Sequence, residues 1–168
     1  VRLLLECLAN GGKIVVAGVG KNLHIAEKIA ATLASTGATS VALNPSQAVH
    51  GDLGMLAPAD VLLALSYSGD SEEIKSLALA VRRLGVRIVA LTCSPQSALG
   101  VLSELVVPIG VPREACPFNL APTASTTATL ALGDALAMVL LDARGFRRED
   151  YARLHPGGAI GRSLLYRA

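Results

Sequence analysis

Aromatic residues are scarce in this 168-residue sequence, which holds two Phe, three Tyr and no Trp. Proteins that track nucleic acid neutralise phosphates with a basic stripe and stack bases on aromatic platforms. Neither device is present, because 15 Lys and Arg against 13 Asp and Glu leave a net charge of only +2, spread along the chain. Nucleic acid is therefore excluded as an expected partner. Cysteine is also sparse: Cys7, Cys93 and Cys116 are odd in number and widely spaced, with no CxxC or Cys/His pattern. That excludes a disulfide framework and a zinc site, and it fits a reducing, cytosolic compartment. The hydrophobic residues, 52% of the total, are mostly Ala, Leu and Val broken by charges. No run approaches the roughly 20 apolar residues that a spanning helix needs, so no membrane partner is expected. The chain opens without a basic segment followed by an apolar stretch and a small-residue cleavage site, which again reads as cytosolic.

What the sequence does have is alternation. Short aliphatic runs at Lys13 to Gly18, Ser40 to Leu43, Val61 to Ser66, Arg87 to Thr92 and Glu104 to Ile109 read as five strands. Helical spacing covers Arg2 to Ala9, Lys21 to Ser35, Ser71 to Leu84 and Ser125 to Ala143, with Gly37, Gly85 and Gly145 placed as C-terminal stops after the last three. Strands alternating with helices predict a parallel sheet. Continuous apolar runs, rather than in/out alternation, predict cover on both faces. The expected fold is thus α/β, a three-layer αβα sandwich on a five-stranded parallel sheet, Rossmann-like or flavodoxin-like, forming one domain over residues 1–168.

In such sheets ligands bind beyond the carboxyl ends of the strands. Three segments there carry hydroxyls, glycines or a cation. In GVGKN, Gly20 lets the backbone approach a ligand and Lys21 adds positive charge at a helix start, with Asn22 beside it; the same residues also read as a tight turn with a solvated lysine. The segment matches neither the dinucleotide fingerprint nor the P-loop, which sets NAD and nucleoside triphosphates aside. In SYSGDSEEI, Ser66, Ser68 and Ser71 surround Gly69 where a strand gives way to a helix. Hydroxyls and free amides converging there suit a phosphate monoester, although Ser71 alone reads equally as a helix cap. In APTASTTATLALGD, Pro122, Thr123, Ser125, Thr126 and Thr127 stand before a long apolar helix, and they either line the same pocket or cap that helix. His50 in HGDLGM and His155 in HPGGAIG lie among glycines, the setting of a shaped loop more than of a core, whereas His24 falls within a helix and reads as structural.

The segments GVGK, HGDLGM, SxSG(D/E)xxE, EACP, LAPTxSTT, GDALA and HPGGAIG occur in an order that resembles the sugar isomerase (SIS) domain of D-arabinose 5-phosphate isomerases, from about Lys13 onward. The resemblance implies an aldose–ketose isomerase interconverting D-arabinose 5-phosphate and D-ribulose 5-phosphate, and so supplying synthesis of the sugar acid Kdo for lipopolysaccharide or capsule. It implies a catalytic set of Lys21, Glu73, Glu114 and His155, a further active-site position at His50, and phosphate-binding loops that carry the serines and threonines. It also implies a homotetramer with sites at subunit contacts. Two departures are visible: the family usually reads GKSGH where this chain has Gly20-Lys21-Asn22-Leu23-His24, and many members continue into a pair of CBS modules not found here. The first departure bears on phosphate affinity or ligand shape. The second implies a short form or a trimmed chain.

Aldose–ketose isomerisation moves a proton between two carbons, normally through a cis-enediol, and needs a base and an electrophile. His155 suits acid/base work at neutral pH; Glu73 or Glu114 serves instead if a dry pocket raises its pKa. Lys21 either stabilises charge on the enediol oxygen or holds the phosphate. No cofactor and no metal are expected. Two alternatives stand beside this reading: a sensing domain that keeps the serine pocket without chemistry, and an isomerase acting on another phosphosugar.

Overall fold

The computed structural model describes residues 1–158. Five parallel strands, β1 (Ile14–Gly18), β2 (Ser40–Leu43), β3 (Val61–Leu65), β4 (Arg87–Thr92) and β5 (Leu105–Pro108), form one sheet in the order β2-β1-β3-β4-β5. The central strands β1 and β3 are buried at every position, because helices cover both faces. On one face α1 (Arg2–Ala9), α2 (Lys21–Ser35) and α6 (Ala124–Ala143) contribute Leu4, Ile29, Leu33, Ala137 and Leu140 to a core with Ile14, Val16, Leu63 and Leu91. On the other face α3 (Pro45–Ala48), α4 (Glu72–Arg83) and α5 (Ala98–Leu102) supply Ala48, Ile74, Leu77, Val81 and Leu99 against Val15, Ala17, Leu62 and Ala90. Successive strand residues point to opposite cores, as the two-residue repeat of a strand requires. The expected three-layer sandwich is therefore the fold.

The observed elements depart from expectation at their ends and in their number. β1 begins after Lys13, because the Lys13 amide donates to the Asp60 side chain at 2.9 Å instead of entering the ladder. Ser71 and Thr123 serve as N-caps, so α4 starts one residue later and α6 one residue earlier than the sequence spacing predicts. Three short helices add to the expected set. α3 starts at a proline with the Asn44 side chain accepting from the Ser46 amide. α5 is capped by the Ser97 hydroxyl, and α7 (Arg148–Leu154) opens with Asp150 accepting from the Arg147 amide. A 3₁₀ turn spans Asp52–Met55.

Asp60 marks the end of the sheet opposite the ligand side. It is 2% exposed and accepts from the Lys13 ammonium at 2.6 Å and from the Ala57 amide at 2.8 Å. Burial pushes its carboxyl up, but these donors, led by the Lys13 side chain, outweigh burial and hold it below the ordinary range.

The length of α6 corrects a sequence expectation. Its 20 residues have a mean hydropathy of 1.5 over the window, long and apolar enough to cross a membrane by length and composition alone. One side of the helix is nevertheless docked within the fold. A Cβ on Gly133 would overlap Ile29 of α2, so the two helices approach at that glycine, and Lys28 of α2 pairs with Asp134. Met138 and Val139 on the opposite side are exposed.

Candidate functional site

The strand order reverses between β1 and β3: β2 extends from β1 on one side, while β4 and β5 extend from β3 on the other. The loops leaving β1 and β3 therefore diverge and open a crevice at the carboxyl end of the sheet. A cavity of about 590 Å³ lies there. Gly20, Lys21 and Asn22 at the start of α2 form one wall, and Ser66, Ser68 and Ser71 between β3 and α4 form the next. Glu114, Ser125 and Thr126, from the segment leading into α6, close the third side. Nine of the residues singled out in the sequence thus meet around one cavity.

The serine loop is held from below. Ser66 Oγ accepts from the Gly69 amide at 3.1 Å and lies 3.4 Å from Ser71 Oγ, while the Asp70 carboxylate accepts from the Ala98 amide at 3.0 Å. Gly69 has φ +74°, and Thr92 and Ser97 stand where its Cβ would be, so only glycine permits this turn. The Ser71 hydroxyl makes no capping hydrogen bond to α4, so among the described residues no side chain satisfies the first-turn amides beside the serine loop. Free amides, three hydroxyls and the α4 dipole form a receptor for a doubly charged oxyanion.

The start of α6 is built differently, because its acceptor comes from the chain itself. Glu114 Oε2 accepts from the Thr123 amide at 2.8 Å, the Ser125 amide at 3.1 Å and the Thr123 hydroxyl at 3.2 Å. The Ser125 side chain, then the Thr123 amide, hold the Glu114 carboxyl down at about 2. An acid/base role for Glu114 would need a dry pocket that raised its pKa; the shift runs the other way, because donors surround the carboxylate.

Four of the residues singled out lie away from this cavity in a single chain. Glu73 is exposed on α4, and His50 is exposed between α3 and the 3₁₀ turn. Thr127 lines a shallow depression on the other side of the α6 start, with Ala115 and Ala131. His155 ends α7, stacked on Tyr151 with ring centroids 3.9 Å apart and 14° between planes. Its Nδ1 lies 2.8 Å from the Tyr151 carbonyl. A carbonyl only accepts, so Nδ1 carries a proton, and in the neutral ring Nε2 is then the nitrogen that bears the lone pair. The last three residues of HPGGAIG, 159–161, lie outside the described residues. His24 is on the α2 surface, 3.4 Å from Glu27, and is no core residue.

Sequence reasoning missed Tyr67, Arg113 and Asn119, which also line the cavity. Tyr67 donates to the Val111 carbonyl at 3.3 Å and so ties the serine loop to the segment carrying Arg113. Lys21 and Arg113 put two cations on the lining, while the Glu114 carboxylate there is engaged by the Thr123 and Ser125 donors. The only signal for Asn119 was its residue type, since asparagine tolerates its φ of +55° better than most. Among the described residues, no three His, Cys, Asp or Glu side chains converge as a metal-ligand set.

Residues 7–139 match the SIS domain. The chain belongs to the SIS-domain family. Among curated relatives, this SIS domain is 54% identical over 158 residues to the Pseudomonas aeruginosa protein named arabinose 5-phosphate isomerase KdsD, covering 94% of this chain and 48% of that one. It is 53% identical over 156 residues to the protein of the same name from Escherichia coli K12, covering 93% and 48%. The chain therefore spans about half the length of the curated relatives it matches. Among solved structures, an Escherichia coli CFT073 protein in complex with arabinose 5-phosphate superposes with a TM-score of 0.88 at 41% identity, covering 92% of this SIS domain and 81% of that chain.

Proposed function

We propose that this SIS domain is an aldose–ketose isomerase that interconverts D-arabinose 5-phosphate and D-ribulose 5-phosphate, and thereby supplies Kdo synthesis. The observation that carries the reading is the convergence on one crevice, which Arg113 also lines, of Lys21, the Ser66/Ser68/Ser71 loop and an α4 start whose N-cap Ser71 makes no side-chain capping bond. That crevice suits a phosphate monoester at one end and leaves room for a pentose chain at the other. The names of the relatives above support the same substrate. On this reading the phosphate sits on the serine loop, and the carbonyl end points toward Lys21, whose ammonium meets the negative charge that develops on the enediol oxygen. His155 Nε2, the ring nitrogen not engaged by the Tyr151 carbonyl, moves the proton between the two carbons.

We further propose a homotetramer in the cytoplasm, with His155 and Glu73 brought to the crevice of a neighbouring copy. The support is the apolar outer side of α6, with Met138 and Val139 exposed, and the outward Phe118 and Leu120 beside the crevice, 80% and 79% exposed. Sedimentation of the purified chain reports this assembly directly. One observation favours the alternative of a non-catalytic sugar-phosphate sensor, namely the placement of Glu73 and His155 outside the cavity of their own chain. The deciding experiment is conversion of D-ribulose 5-phosphate in the presence of EDTA, with His155→Ala beside the native chain. Turnover by the native chain that disappears in the variant supports the isomerase, and binding without turnover by either protein supports the sensor.

A further inference from the structure

Glu114 looks at first like a second proton-transfer group, since it is a carboxylate on the wall of the crevice. Its hydrogen bonds argue otherwise. Oε2 receives three donors, from the Thr123 amide, the Thr123 hydroxyl and the Ser125 amide. The same stretch is tied again through its backbone: the Glu114 amide donates to Asn119 Oδ1 at 2.7 Å, and the Ala115 amide donates to Thr123 Oγ1 at 2.8 Å. Residues 114 and 123 are thereby fastened together, and the intervening stretch closes as a loop over the start of α6. Arg113 just before that loop, and Asn119 and Leu120 within it, line the cavity that Lys21 also lines.

We propose that Glu114 is the clasp that seats this loop on the start of α6, so that in the isomerisation it is a positioning residue for the Arg113 and Asn119 wall and not the group that moves the proton. The inference rests on the isomerase reading above. An oxygen accepting three donors has no lone pair to offer a carbon-bound proton. The remaining oxygen, Oε1, belongs to the same delocalised anion, and a carboxyl held at about 2 is a weak base at neutral pH. Removing the clasp exposes two amides at the start of α6 and frees the loop, which moves the wall without touching the reacting atoms.

The test compares Glu114→Gln and Glu114→Ala in the whole chain by two readouts: hydrogen exchange at the Thr123 and Ser125 amides, and the pH profiles of kcat and kcat/KM for D-ribulose 5-phosphate. Glutamine keeps an oxygen acceptor, so E114Q retains protection of both amides and loses no more than about tenfold in kcat/KM, the scale of one altered hydrogen bond. E114A loses that protection and falls by about a hundredfold, the scale of a displacement of about 1 Å at a positioning group. Both variants keep the two limbs of the native kcat profile. A proton-transfer role is the result if E114Q is as inactive as E114A while its amides stay protected, or if its acidic limb vanishes; either outcome overturns the proposal. Should E114A fail to fold, E114Q alone separates the two roles. If the native chain turns over no phosphosugar, the isomerase reading fails, and exchange still decides the clasp: protection in E114A equal to native removes it.

Discussion

Gly69→Ala is the substitution for which the structure gives the sharpest expectation. Gly69 sits at φ +74° between Ser66 and Ser71, and an added Cβ would lie 2.5 Å from Ser97 Cβ and 2.7 Å from Thr92 Oγ1, with Ser97 Oγ closer still. Neither neighbour is free to step aside. Ser97 Oγ donates to the Ser94 carbonyl at 2.7 Å and accepts from the Gly100 amide at 3.2 Å as the cap of α5, while Thr92 Oγ1 donates to the Tyr67 carbonyl at 3.0 Å. A left-handed alanine costs about 1–2 kcal/mol, and forcing a methyl into a filled site adds about 1–3 kcal/mol. Gly85→Ala is the matched control, because Gly85 has φ +76° with nothing within 4 Å of its Cβ position. It should show the backbone cost alone, about 1–2 kcal/mol. At about 2–4 °C per kcal/mol for a chain of this size, thermal unfolding should fall by roughly 2–8 °C for Gly85→Ala and by roughly 4–20 °C for Gly69→Ala. Calorimetry supplies the functional half: the affinity for D-arabinose 5-phosphate should weaken at least about tenfold in Gly69→Ala, as for the loss of a hydrogen bond or more from the serine loop, and stay unchanged in Gly85→Ala. Equal losses of stability in the two variants would refute the packing argument, and unchanged affinity in Gly69→Ala would refute the placement of the anion on this loop.

Asp60→Asn should destabilise by about 3 kcal/mol, because the Lys13 ammonium 2.6 Å away loses its counter-charge while partly buried; urea unfolding measures this. The sign of the pH dependence follows from the depressed carboxyl: its contribution is complete above the ordinary value of 3.8 and is lost as the pH falls through the lower folded value, so the native chain should lose stability on acidification more steeply than the variant. Glu114, held at about 2 against an ordinary 4.5, acts in the same direction, and Glu114→Gln should flatten the same acid limb. On the isomerase reading, Tyr151→Ala should lower kcat by about a hundredfold by releasing the ring on which His155 is stacked, whereas Tyr151→Phe keeps the stack and the rate. Nitrogen-15 shifts of His155 check the cause: the Tyr151 carbonyl that takes the Nδ1 proton is main chain and survives both substitutions, so Nδ1 should stay protonated in all three proteins and the rate loss should trace to the missing stack.

The strands were legible because the central ones are covered on both faces. In a buried parallel strand every position is apolar, and Ile14 to Gly18 and Val61 to Leu65 are such runs. The long helices were legible from spacing and from the glycines after them. The short helices were not, because four to seven residues hold too few turns for a period to show, although Asn44-Pro45 and Ser97 were cap signals in plain view. The serine loop could be read from its chemistry, since hydroxyls packed around a glycine at a strand end have few other uses. Arg113 and Asn119 could not, because they stand in a stretch without periodicity, and what makes them wall residues is the carboxylate of Glu114 reaching Thr123, nine residues along. The surroundings of Glu73 and His155 were equally hidden, since no spacing within one chain tells which residues of α4 and α7 face the crevice.

Three helices begin around this crevice, and the chain treats their starts unequally. The α6 start already holds an anion: the Glu114 carboxylate occupies the Ser125 and Thr123 amides that a phosphate would need. A second anion on the same donors would meet a like charge and find those amides already bonded. Among the described residues, no side chain caps the α4 start in this way. Its first-turn amides lie beside Ser66, Ser68 and Ser71, and Lys21, at the start of α2, lines the same cavity. On the proposed reading, a phosphosugar therefore places its phosphate on α4. Ser125 and Thr126 then face the sugar chain, and the α6 start presents a fixed wall bearing Arg113. The same asymmetry orients the substrate, because a pentose phosphate entered the other way round would set its phosphate against Glu114. The internal carboxylate so excludes the reversed pose by repulsion, while the serine loop holds the productive one by hydrogen bonding, and the carbonyl end is left pointing toward Lys21.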